Sequence, residues 1–475
     1  MTLEQTTTGS LETYEGLLAA ISVADGAPVT DPATDEVIAH APIATPADLD
    51  AAVAAARAAQ PAWEALGHAR RSEILVGAAD AVDRSAAALA ELISREQGKP
   101  LNGPGSRFEA GGVSAWLRTA AATELSEETL LDEPRATIAY RAVGLVGAIG
   151  PWNWPALIAA WQLAPALRMG NAVIMKPSEH TPLSVLAVGA ILNQVLPAGV
   201  LTVLSGDRDL GVALTGHDAF GKLMFTGSTR TGKAIVAASA ANLPRLTLEL
   251  GGNDPGIVLP DVDAQAIAQD LFWGAFINTG QTCAALKRLY VHDDVYDDVV
   301  EALRAVAAQV PMGYGVDESS ALGPLTTADQ LAIVDRLVED AKAGGARVVL
   351  GGEPDRAAAG NFYPTTLVAD IDAHAPLVVE EQFGPALPIV RYSDLDEVIG
   401  LANGLDVGLG ASVWSADAAR AREIAARIQA GTVWINSHGG VHPMVPFGGI
   451  KGSGYGLEFG VEGLKAVAVP HVING

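Results

Sequence analysis

Glu249, in Leu248-Glu249-Leu250-Gly251-Gly252, and Cys283, in Gly280-Gln281-Thr282-Cys283, are the residues of this chain best suited to covalent chemistry. Cys283 is its only cysteine. A cysteine attacks as its thiolate, and attack on a carbonyl carbon leaves an oxyanion that needs hydrogen-bond donors and a thioester that needs water. One sulfur, one carboxylate and one amide meet these needs, and Asn153 in Pro151-Trp152-Asn153-Trp154-Pro155 is the candidate amide. Taken alone, Cys283 reads as an ordinary buried cysteine and Asn153 as a turn residue before a tryptophan and a proline.

These residues need a scaffold that brings distant stretches together. From Val143 onward, short apolar runs at Leu145–Ile149, Ala172–Met175, Gly199–Leu204 and Lys222–Phe225 alternate with helical stretches, which predicts a parallel α/β sheet. Such sheets bind ligands beyond the carboxyl ends of their strands, where Asn153, Lys176, Ser205-Gly206 and Gly227 fall. Gly227-Ser228-Thr229-Arg230-Thr231-Gly232 follows a strand and opens a helix that Ser228 can cap, a loose form of a phosphate-cradling turn. A second α/β region runs from about Asn253 to Phe447, with strands expected at Arg347–Leu350, Leu387–Val390 and Thr432–Ile435. Ahead of the first sheet, residues 1 to about 26 read as a loose arm and Thr30–Asp35 as a turn. Helices are expected from Pro46 to about Gln60, at Arg70–Arg84, at Ser85–Gln97 and near Glu109–Thr123. Ala136–Tyr140 reads as an exposed short strand.

At 475 residues the chain suggests two or three domains. Its formal charge of −25, with no basic run, excludes the electrostatic footprint of a nucleic-acid binder and makes an acidic membrane surface a poor partner. A single cysteine and no secretory leader point to a reducing, cytoplasmic setting. Ala142–Leu167 is mostly apolar and carries no charge, but its prolines and glycines would strand backbone groups in lipid, so no membrane span is expected. His438 and His442 are separated by Gly439-Gly440 and followed by Pro443, so no helical metal pair forms there and no metal is expected.

Set beside Lys176-Pro177-Ser178-Glu179, Phe225-Thr226-Gly227-Ser228, Glu380-Glu381-Gln382-Phe383-Gly384-Pro385 and Pro446-Phe447-Gly448-Gly449-Ile450-Lys451, the Asn153, Glu249 and Cys283 blocks resemble the signature blocks of the NAD(P)-dependent aldehyde dehydrogenase superfamily. The resemblance runs from about Val29 to the C-terminus. It implies a Rossmann-like nucleotide domain (1–123 and 142–250), an α/β catalytic domain (251–447) and a small β oligomerisation arm (124–141 and 456–475), assembled as a homodimer or homotetramer. It implies Cys283 as nucleophile, Asn153 as oxyanion donor and Glu249 as the base that activates water, hence the hydrolytic, non-acylating type.

The resemblance also implies NAD as cofactor, with NADP possible, against Ile149, Trp152, Lys176, Glu179, Gly206, Gly227, Ser228, Leu250, Glu381 and Phe383. A carboxylate at Glu179 repels the extra phosphate of NADP and favours NAD. The substrate mouth by the same resemblance is Trp154, Leu157, Trp161, Ala284, Val441, Met444 and Phe447, apolar enough for an uncharged aliphatic or aromatic aldehyde, though such residues also suit a core. Two departures stand out: Gln162 where many relatives carry lysine, and Leu457 where arginine is common. Glutamine cannot carry a proton away as lysine can, which puts a Lys–Glu proton exit in doubt. Two rival readings are a cofactor-free cysteine hydrolase, against which no histidine lies in these blocks to partner Cys283, and a catalytically silent binding or structural protein, which has no chemical need for Cys283, Glu249 and Asn153 together.

Overall fold

The computed structural model describes residues 10–475. Two open sheets, one on each side of the Glu249–Asp254 connection, carry the chain's chemistry. The first has six strands in the order Gly454–Tyr455, Arg245–Glu249, Lys222–Thr226, Leu145–Ile149, Ala172–Lys176, Leu201–Val203. All but Gly454–Tyr455 run parallel. From Leu145–Ile149 the chain winds outward to one edge and then returns to the other side, so the winding reverses between Leu145–Ile149 and Lys222–Thr226. A crevice opens at the carboxyl ends of strands where this happens.

The second sheet orders Arg347–Leu350, Thr366–Ala369, Ala386–Tyr392, Leu286–His292, Asp254–Val258, Gly410–Trp414 and Thr432–Ile435. Only its Arg347–Leu350 edge is antiparallel. Asp254–Val258, Ala386–Tyr392 and Gly410–Trp414 are mostly apolar and buried on both faces, while Leu286–His292 between the first two carries two buried charges, Lys287 and Arg288. A third, three-stranded antiparallel sheet joins Glu128–Leu131, Ala136–Ala142 and Ala468–Asn474. The expected strands are present at both large sheets, and the Thr30–Asp35 turn closes through bonds from Thr34 and Asp35 to the Asp31 carbonyl.

Three expectations are corrected. Ala136–Tyr140, expected to be exposed, lies in the central strand of the three-stranded sheet, with Ala136 and Thr137 buried. Within the supposed loose arm, Tyr14–Ile21 is a helix whose N-cap Thr13 accepts from Gly16 N–H and which buries Leu17 and Ile21. Residues 1–9 lie outside the described part. The two helices expected at 70–84 and 85–97 are one, Gly67–Gln97. Ser85 does not break it because that position is buried, and the stop comes at Gly98, whose φ of 96° glycine adopts without strain.

Candidate active site

Cys283 sits between the helix Ala264–Phe276 and the strand Leu286–His292. The helix ends in a tight turn in which Asn278 (φ 51°), Thr279 (φ 57°) and Gly280 (φ 77°) are successively left-handed. That conformation is unfavourable for asparagine and threonine, so their side chains must hold it. Asn278 Nδ2 donates to the Asn153 carbonyl at 2.8 Å, and Thr279 Oγ1 donates to the Gly323 carbonyl at 3.0 Å. Gly280 is required twice over: beyond its φ, a Cβ there would lie 2.3 Å from the Gly384 carbonyl oxygen.

Asn153 lies just past the carboxyl end of Leu145–Ile149. Its side-chain amide donates to the Gln281 carbonyl at 2.9 Å, joining the first sheet to the cysteine loop, and keeps a second N–H. Its own carbonyl accepts from Lys99 Nζ at 2.8 Å. Lys99 is paired with Glu109 at 2.5 Å, both side chains fully buried. The second Glu109 oxygen accepts from Ala156 and Leu157 N–H, satisfying the first turn of the helix Pro155–Arg168, whose N-cap Trp154 has no side-chain cap.

Glu249 ends the strand Arg245–Glu249 and is 4% exposed. Burial, reinforced by the Glu458 carboxylate, holds its carboxyl well above the ordinary range. Glu458 is buried too, and desolvation pushes it up to about 7 despite the opposing pull of Lys222. Lys222 donates to Thr247 Oγ1 at 2.6 Å, and burial pushes it down to about 8. Gln162 donates to Thr226 Oγ1 and the Ile149 carbonyl. The departure at Gln162 therefore coexists with a different buried lysine near Glu458, one that looked like an ordinary strand start in the sequence.

Cys283, Asn153 and Glu249 line one cavity with Trp152, Gly227, Ser228, Leu250, Glu381 and Phe383. The cavity shares Pro151, Trp152, Thr226, Gly227 and Ser228 with an outer cleft of about 860 Å³ at the winding reversal, whose walls include Ile149, Lys176 and Glu179. Nine of the ten expected cofactor residues thus face a continuous crevice. Gly206 stands at the edge of the helix Arg208–Gly216, where a Cβ would meet Leu210 at 2.8 Å.

The crevice fits a dinucleotide in its chemistry. Ser228 caps Thr229–Ser239 by accepting from Thr231 N–H at 3.3 Å, leaving helix-end amides beside Gly227 for phosphates. Glu381 Oε1 is held by Lys287 at 2.9 Å and by Gly252 N–H at 3.3 Å, and Oε2 remains for a hydroxyl. Burial pushes the Cys283 thiol up to about 12, against which only the Lys287 ammonium pulls down; Glu249, Asp254 and Glu381 push further up.

Of the seven expected substrate-lining residues, Trp154, Leu157, Trp161, Ala284 and Phe447 belong to a buried apolar cluster, with Cys283 and Val441 at its margin; Met444 is 48% exposed. Trp161 stacks on Trp116 at 5.6 Å and meets Phe459 edge-on at 4.8 Å. Trp116 and Phe459 were missed in the sequence because nothing in their local spacing ties them to Cys283. His438 lies 3.6 Å from Asp254, both buried, while His442 is exposed. No group of three or more metal-ligating side chains occurs among the described residues.

A two-sheet α/β chain whose winding reversal opens a crevice with dinucleotide chemistry, beside a cavity lined by a cysteine, an amide and a carboxylate, has the build of a nicotinamide-dependent oxidoreductase. The sequence profile of the aldehyde dehydrogenase family matches residues 21–472, and the chain belongs to that family. It is 37% identical over 436 residues to aldehyde dehydrogenase LUC3 of a Fusarium species, covering 91% of this chain and 92% of the relative. It is 38% identical over 452 residues to phenylacetaldehyde dehydrogenase of Pseudomonas fluorescens, covering 92% and 90%. The NAD+ complex of the Bacillus cereus aldehyde dehydrogenase superimposes with a TM-score of 0.90 at 34% identity, covering 94% and 92%. The chain is accordingly an oxidoreductase of NAD(P)-using type. No helix among the described residues is long and apolar enough to cross a membrane.

Proposed function

We propose that this chain oxidises an uncharged aliphatic or aromatic aldehyde to its carboxylic acid, with NAD preferred over NADP. The observation that carries the reading is the convergence of Cys283, Asn153 and Glu249 on one cavity with Glu381 and Phe383. Cys283 adds to the aldehyde carbon, and the free N–H of the Asn153 amide, with the Cys283 backbone N–H, holds the oxyanion. NAD, when bound, supplies the hydride acceptor, and a thioester remains on Cys283. Glu249, its carboxylate made strongly basic by burial, takes a proton from water that hydrolyses the thioester. Lys176 and Glu179 would hold the adenosine ribose, Gly227 and Ser228 the pyrophosphate, and Glu381 and Phe383 the nicotinamide end.

The apolar cluster around Trp154, Trp161 and Phe447 supports an uncharged substrate, as does the name of the Pseudomonas relative. In this reading 1–123 and 142–250 form the cofactor domain, 251–447 the catalytic domain, and 124–141 with 456–475 an arm that pairs subunits into a homodimer or homotetramer. A cytoplasmic, reducing setting suits a lone thiol nucleophile.

The test is an aldehyde panel with NAD and with NADP, following NAD(P)H absorbance and free acid, on wild type, Cys283→Ala and Glu249→Gln. Turnover lost in both variants, with a single-turnover hydride burst surviving in Glu249→Gln, supports the roles. Full rate in Cys283→Ala, or no reduction with any aldehyde in wild type, would overturn them.

A further inference from the structure

Lys287 is a charged residue in the interior of the second sheet. It lies on the strand Leu286–His292, its side chain is 1% exposed, and its ammonium touches only groups that belong to the site. Nζ donates to the Cys283 carbonyl at 2.5 Å, pairs with Glu381 Oε1 at 2.9 Å and lies 5.5 Å from the centre of the Phe383 ring. Its backbone carbonyl accepts from Gln382 Nε2 at 3.0 Å, so the strand and the Glu381–Phe383 loop are tied twice. A buried ammonium is costly, and a chain that only needed packing here could carry a methionine of similar length.

We propose that Lys287 is a positioning residue that fastens the cysteine loop to the Glu381 carboxylate, so that one ammonium sets both the reactivity of the thiol and the readiness of the cofactor clamp. The inference rests on the reading of Cys283 as nucleophile and Glu381 as ribose clamp. Two effects follow from the geometry. Engaging Oε1 fixes the Glu381 rotamer and leaves Oε2, which lies beside Gly251, as the oxygen for a hydroxyl, which lowers the ordering cost when a diol binds. The ammonium also opposes the negative field that Glu249, Asp254 and Glu381 impose on the sulfur, with His438 beside Asp254 as the remaining titratable neighbour. Lys287 and Glu381 therefore act oppositely on the thiol and in the same direction on the cofactor, a pattern that a lysine with a purely structural role does not produce.

The test uses the full-length protein and the fact that Cys283 is its only cysteine. Iodoacetamide alkylation of Cys283 is followed by mass spectrometry from pH 6 to 10 in wild type, Lys287→Met, Lys287→Arg and Glu381→Gln, beside NAD affinity from tryptophan fluorescence. Lys287→Met is expected to slow alkylation at pH 8 by about tenfold, the effect of one pKa unit, and to weaken NAD binding. Lys287→Arg restores most of both. Glu381→Gln weakens NAD binding but speeds alkylation. Superimposable alkylation profiles in folded Lys287→Met and wild type overturn the proposal, as does slower alkylation in Glu381→Gln, which remains informative if Lys287→Met fails to fold. Alkylation reports on the thiol whether or not it is catalytic, so loss of the nucleophile reading, seen as turnover in Cys283→Ala, is distinguishable from loss of this one.

Discussion

Glu249 and Glu458 interact across the interior, and among the described residues none of their four carboxyl oxygens has a hydrogen-bond partner. Both carboxyls are pushed up by desolvation, Glu458 from 4.5 to about 7. In the unfolded chain Glu458 ionises near its ordinary value, whereas in the folded protein it holds its proton to about 7. The stability tied to the protonated form is complete below 4.5 and is lost as pH rises towards 7. Glu458→Gln removes that loss. The variant should gain on the order of 2–3 kcal/mol relative to wild type on going from pH 5 to pH 8. Urea melts at both pH values check this, and an unchanged difference between the proteins would sink it.

The same pair bears on the proposed mechanism. In the proposed mechanism Glu249 works as the ionised base, and a charged Glu458 opposes that ionisation. In Glu458→Gln the acid limb of the kcat profile should move down by about one pH unit, since one nearby like charge is worth about that much. Stopped-flow turnover from pH 5 to 9 decides it. A limb that stays in place means that Glu458 does not set the Glu249 ionisation.

What could be read from sequence alone follows a physical division. Leu145–Ile149 and Lys222–Thr226 were legible because strands buried on both faces are apolar runs bounded by turns. Ser228 was legible as a cap because capping is local. Lys222 and Lys287 were not, since a lysine inside a strand looks the same in sequence whether solvent or a carboxylate neutralises it. The only available signal was that their neighbours, Leu223 and Met224 or Leu286 and Leu289, are apolar on both faces. Tyr14–Ile21 reads as an arm in the sequence because about two helical turns carry little periodicity, and Leu17 finds its partners far along the chain. The joining of the two helices at Ser85 is likewise decided by burial.

Lys99 and Glu109 hold the Asn153 loop and the start of Pro155–Arg168 from outside the cavity. Glu109→Ala leaves a buried ammonium unpaired and strips the acceptor from Ala156 and Leu157 N–H, which should cost about 3–5 kcal/mol. The double variant Lys99→Met/Glu109→Leu should recover part of that, because no lone charge remains buried. Denaturant melts of the single and double variants test the pair. A single variant within 1 kcal/mol of wild type, by the usual scale for an exposed pair, would show that the contact is not buried in solution.

Glu179 borders the outer cleft together with Arg208 and Arg230, and its side chain is 54% exposed, 3.7 Å from Lys176 Nζ. Its charge opposes a 2′-phosphate while the two arginines would welcome one. Glu179→Ser should therefore raise the ratio of kcat/KM for NADP over NAD by about tenfold or more, as removal of a like-charge contact allows. Parallel kinetics with both cofactors measure the ratio, and an unaltered value would move the origin of any NAD preference away from Glu179.

The three-stranded sheet leaves Leu130, Leu131, Val472 and Ile473 each more than half exposed. Its edge strand Glu128–Leu131 is exposed along its whole length. Apolar side chains on both outer strands of this sheet invite association, and a chain of charge −25 otherwise repels its own kind, so a subunit contact here must be carried by these apolar side chains. Leu131→Glu combined with Val472→Glu, which the strand registers put on one face of the sheet, places two further like charges on each subunit there. Light scattering coupled to size exclusion should then report a smaller species than wild type, with helix content by circular dichroism unchanged, because neither side chain packs into the core. An unchanged mass for the double variant would mean that these side chains carry no subunit contact and that the arm serves only its own chain.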